Sequence, residues 1–88
     1  VDTKYLVMVM RTPRFDQSVI EPHREFLAGL LAEGRLVESG KFTDGTGGAY
    51  VVRAADLTEA TALAHADPVY TTGASDVTVH EWEITASA

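Results

Sequence analysis

The chain has 88 residues, with thirteen Asp and Glu against seven Lys and Arg, a formal net charge of −6 and no cysteine. That length makes one domain, residues 1–88, with a single two-layer core. The acidic balance argues against nucleic acid as a partner, which needs a basic face, and the missing thiols exclude disulfides, thiolate catalysis and Cys-based zinc sites.

The first periodic segment, Lys4 to Arg11, reads as a strand with Val7 and Val9 on one face and Leu6, Met8 and Met10 on the other. Its apolar run, Tyr5 to Met10, falls far short of the ~20 residues of a membrane helix, so no membrane partner is expected. Nor does a basic stretch lead into a long apolar one, as in a secretory leader. A bacterial cytoplasm is the setting this composition suggests. Thr12 to Gln17 forms a loop around Pro13. A helix follows, with Ser18 and Glu21 spaced as a capping box and Pro22 placed in the first turn, where its missing N–H costs nothing. Ile20, His23, Leu27, Leu30 and Leu31 share one face at helical spacing, and Gly34 stands where a left-handed cap is wanted. Leu36 to Phe42 is the second strand, Asp44 to Gly48 a hairpin connection, and Ala49 to Arg53 the third strand. Asp56 with Glu59 caps a second helix whose stripe is Leu57, Ala60, Leu63 and Ala64. Asp67-Pro68 stops it. A loop through Gly73 leads to the last strand, Val77 to Ile84, where the switch between Val77/Val79 and Trp82/Ile84 predicts a bulge.

The order β-α-β-β-α-β is the split arrangement of the α+β ferredoxin-like fold, a four-stranded antiparallel sheet with two helices on one face. Those helices leave the other face bare although it carries apolar residues. A homodimer formed sheet against sheet is therefore expected.

Three histidines and several carboxylates are the reactive candidates. His23 lies four residues before Leu27 on the apolar stripe, so its ring points toward the sheet, where a neutral imidazole can act as a base or hold a ligand. The plainer reading is a core-edge histidine bonded to a backbone carbonyl. Asp67, read at the C-terminal end of a helix, meets like-signed partial charge there and wants a compensating partner. It either starts a turn with Pro68 or pairs with His23, since both helices lie on one face of the sheet. His65 suits the last turn of its helix as a dipole-compensating cation, His80 could line either sheet face, and Trp82 reads as a core or interface anchor rather than a platform for stacking a substrate. Arg11, Arg14 and Arg53 are candidate anion binders. Ser39, beside Gly40, leaves room for a ligand oxygen. No His-Glu-x-x-His spacing, phosphate-binding glycine pattern or nucleophile elbow is present, so neither a metal nor a cofactor is expected.

Pro22-His23 opening a helix, then Gly34-Arg35-Leu36 and Glu38-Ser39-Gly40, followed by Ala64 to Tyr70, Gly73 and a Val77-x-Val79 strand ending at Trp82, resembles the YciI-like (YCII-related) family along essentially the whole chain. The chain departs from many relatives at Lys41, where they carry proline. The resemblance implies a dimeric α+β barrel with His23 and Asp67 as a catalytic pair in a pocket, and Ser39 linked to the same pocket. It also implies acid/base chemistry on small oxygenated, often aromatic molecules. The reading that follows is a cofactor-free lyase, isomerase or dehydrochlorinase acting on a small cyclic or phenolic metabolite, with Ser39 and Arg11 holding its oxygens. The alternative is a non-catalytic dimeric module that binds a small molecule or assists another enzyme.

Overall fold

Strand alternation sets the two faces of the sheet. In the computed structural model, which describes residues 2–88, β1 (Asp2–Arg11) buries Tyr5, Val7 and Val9 on one side and turns Leu6, Met8 and Met10 to the other. It pairs antiparallel with β3 (Gly47–Val52) and β4 (Ser75–Ile84), and β3 pairs antiparallel with β2 (Leu36–Lys41), giving the order β2-β3-β1-β4. Helices α1 (Ile20–Ala32) and α2 (Leu57–Ala64) close the first face, where Leu30, Ala60 and Ala64 join Tyr5, Val7, Val9, Tyr50 and Val52 in one core. This is the ferredoxin-like α+β fold. Among the described residues, no helix is long and apolar enough to cross a membrane.

The local signals act with some corrections. Asp16, not Ser18, starts the first helical segment: its carboxylate accepts from the Ser18 N–H at 2.9 Å and caps a 3₁₀ turn, Gln17–Val19, that runs straight into α1. An aspartate reaches an N–H two residues on, so the turn begins before the serine is available as a cap. Gly34, at φ 74°, ends α1 as expected, and the Arg35 N–H closes onto the Leu30 carbonyl at 2.9 Å. Leu31 is 61% exposed and Leu57 42%, so the buried stripes are narrower than the spacing suggests. In α1, Phe26 packs against the core in place of Leu31. Asp56 caps α2 through the Glu59 N–H at 2.8 Å, while Glu59 reaches back to the Ala55 N–H at 3.1 Å.

The bulge expected in β4 is absent. Its register with β1 runs unbroken from Asp2↔Ile84 to Arg11↔Ser75. Val77 and Val79 face the helices, whereas Trp82 and Ile84 belong to the uncovered face, so plain alternation accounts for both apolar sets. The register shift lies instead in β2, between Leu36 and Glu38. The uncovered face gathers Leu6, Met8, Met10, Ala49, Val51 and Trp82, the last 45% exposed.

Candidate active site

The sequence between α2 and β4 forms a second short helix, α3 (Pro68–Thr71), that periodicity cannot reveal. Asp67 is its N-cap and Pro68 its first residue, an arrangement that needs no N–H from the proline. The expectation that Asp67 sits at a helix C-terminus is thereby corrected. α2 ends at Ala64, and Asp67 opens the next turn.

The Asp67 side chain is fully buried, and each oxygen has partners. Oδ1 accepts from the Val69 N–H at 3.0 Å and lies 2.9 Å from His23 Nδ1. Oδ2 accepts from the Tyr50 hydroxyl at 3.1 Å. Among the described residues, no buried side-chain nitrogen or oxygen is left without a partner. Such satisfaction is the condition for holding a carboxylate out of water. Because a carboxylate can only accept, the Asp67 contact assigns the proton to His23 Nδ1 and leaves the Nε2 lone pair free.

His23 stands on the fourth residue of α1, with its side chain 23% exposed. Its ring lies 6.2 Å from that of Tyr50, centroid to centroid. Tyr50 is placed by β3, opposite Val7 on the helix side of the sheet. Burial, with the negative charge of Asp67 and the hydrogen bond to it, drives the Tyr50 phenol far above its ordinary value of 10.0. It is held as a donor. Tyr50 is the site residue that the sequence does not announce, since a tyrosine in a short apolar strand reads as core.

His23 and Tyr50 line a cavity of about 320 Å³ between α1 and the β1–β3–β2 part of the sheet. Val9, Phe15, Ile20, Leu27 and Val69 give it apolar walls. Both expected substrate-binding residues reach it: Arg11, whose guanidinium lies 4.1 Å from the centroid of the Phe15 ring, and Ser39. The β2 register shift puts Ser39 opposite Tyr50 and thus on the cavity side.

The remaining candidates lie elsewhere. His65 stacks on Tyr70, with ring centroids 4.0 Å apart, and His80 Nε2 meets Thr78 Oγ1 at 3.1 Å. The guanidinium of Arg14 packs against Gly73, and Arg53 is exposed away from the cavity. Among the described residues, no group of three or more His, Asp or Glu could hold a metal ion.

The comparisons agree with this architecture. The chain is 48% identical over 80 residues to the uncharacterized protein YjpA of Bacillus subtilis strain 168, covering 91% of this chain and 94% of the relative. It is similar in fold to the 5-chloro-2-hydroxyhydroquinone dehydrochlorinase TftG of Burkholderia phenoliruptrix AC1100, solved in complex with 2,5-dihydroxybenzoquinone. That likeness has a TM-score of 0.70 and 20% identity, over 91% of this chain and 93% of the other. Residues 3–83 match the YCII-related domain, and the chain belongs to that family.

Proposed function

We propose that the protein is a cofactor-free acid/base enzyme of the lyase, isomerase or dehydrochlorinase type, acting on a small cyclic or phenolic metabolite in the cytoplasm. The observation that carries this reading is the 2.9 Å approach of His23 Nδ1, on a side chain that lines the 320 Å³ cavity, to the fully buried carboxylate of Asp67 behind it. His23 Nε2 takes a proton from the substrate and returns it to another atom, or keeps it while a leaving group departs. Asp67 holds the ring in one tautomer and stabilises the imidazolium that forms. Tyr50 and the Val69 N–H hold Asp67. Ser39 and Arg11 receive the substrate's oxygens. The dehydrochlorinase activity in TftG's name supports this class of chemistry. The bare apolar sheet face supports a homodimer built through it.

The test is solvent deuterium incorporation into, or turnover of, a panel of hydroxylated quinones, phenols and unsaturated lactones. His23→Asn and Asp67→Asn are each expected to lower the rate at least ~10²-fold. Full turnover in both variants ends this reading. Ligands that bind and are recovered unchanged and unexchanged transfer it to a binding module.

A further inference from the structure

Charge is distributed in the cavity against the composition of the chain. Among the described residues, its lining includes three of the seven Lys and Arg, namely Arg11, Arg24 and Lys41, and none of the thirteen Asp and Glu. The three come from separate elements: the end of β1, the residue after His23 on α1, and the end of β2. All three are exposed at the mouth, above the apolar walls. No described carboxylate oxygen lies within 4.0 Å of any of their nitrogens, although Lys4 and Arg35 elsewhere on the chain are so paired. Phe15 under the Arg11 guanidinium supports that side chain without consuming its charge.

A chain of net charge −6 repels anions in general, so unpaired cations gathered at one apolar cavity act as a local filter. We infer that the cavity selects a small amphiphilic anion, with its apolar ring or chain against Val9, Ile20, Leu27 and Val69 and its carboxylate or phenolate oxygen toward Arg11, Arg24 and Lys41. This rests on the proposed function only for the location of the chemistry. It assigns the charge of the substrate, and it adds Arg24 and Lys41 to Arg11 as residues that determine specificity. The anionic group anchored at the mouth leaves the opposite end of the molecule beside His23.

The experiment uses the whole protein and three probes: benzoate, its neutral isostere benzamide, and acetate, which has the charge without the ring. Binding is followed by amide NMR shifts of cavity residues. Benzoate is expected to bind at least ~10-fold tighter than either other probe, the scale of one charge-assisted hydrogen bond, and to weaken as salt is added. Arg11→Gln and Lys41→Gln each remove most of that preference, and Arg53→Gln, outside the cavity, leaves it unchanged. Equal binding of benzamide and benzoate, equal binding of acetate and benzoate, no benzoate binding, or a preference that survives Arg11→Gln with Lys41→Gln overturns the inference. His23→Asn separates the two proposals. Selective benzoate binding that persists in this variant supports the anion filter whatever happens to turnover, and lost turnover with no charge preference leaves the acid/base reading standing alone.

Discussion

Tyr50 is the residue on which the site's geometry turns. It donates to a carboxylate that is fully out of water, and removing the hydroxyl leaves Asp67 Oδ2 with one partner fewer in a place solvent cannot reach. Tyr50→Phe is expected to cost about 1.5–3 kcal/mol near neutral pH, the range for a hydrogen bond to a charged group. The same residue sets a pH dependence. Its phenol is raised in the folded state, so the native protein keeps a proton that the unfolded chain gives up above 10.0. The stabilisation from this tyrosine is therefore complete below 10.0 and declines as pH rises beyond it. Urea unfolding at a series of alkaline pH values should show the parent chain losing stability more steeply than Tyr50→Phe, by up to ~1.4 kcal/mol per pH unit. Parallel curves would mean that Tyr50 is not held as a donor in the fold. None of this is legible in the sequence, where Tyr50 is one more strand residue. His23, by contrast, declares its direction through its spacing from Leu27. Asp67 shows only that something unusual happens before Pro68, because a one-turn helix has no period from which to read its start.

Two features of the β2–β3 ribbon form the cavity floor, and they differ in how far sequence reveals them. The register shift near Val37 turns Ser39 and Lys41 to the helix side, opposite Tyr50 and Gly48; a regular ladder from Leu36 would turn both away. No residue type marks that shift. The run Leu36 to Phe42 reads equally well with or without it. Gly48 is more informative. A Cβ there would run into the Gly40 carbonyl oxygen, so the glycine permits β3 to approach β2 where both line the cavity. Gly40 itself has open space where its Cβ would lie. Gly48→Ala should thus lower the urea midpoint by the equivalent of more than about 2 kcal/mol, while Gly40→Ala stays within about 1 kcal/mol. Equal costs at the two positions would show that strand β-propensity, not the close approach, governs the ribbon. The order of the four strands and of α1 and α2 was legible, because alternation and helical spacing are strong over six to thirteen residues. Its failures were short-range, at Asp16, α3 and β4.

For the whole molecule, the sheet's uncovered face and its net charge act in opposition. Leu6 stands at the centre of that face between Val51 and His80, with Met8 next along the same strand and Trp82 toward one end. Burying this surface against a second copy is favourable in proportion to the apolar area removed from water. Each copy also carries −6, so association works against long-range repulsion that salt screens. The proposed dimer should accordingly tighten as salt is raised, whereas anion capture at the cavity should weaken. One titration of ionic strength therefore separates the two surfaces. Light scattering at micromolar concentration is expected to give twice the chain mass. Leu6→Lys brings a charge into the apolar centre of the face and, through two-fold symmetry, sets it near its own copy. That variant should run as a monomer with unchanged far-UV circular dichroism, and Trp82→Glu should do the same from the end of the face. A parent chain that scatters as a monomer across the salt range would remove the dimer and leave the bare face to another partner. Dimers that persist in both variants would move the interface to a different surface.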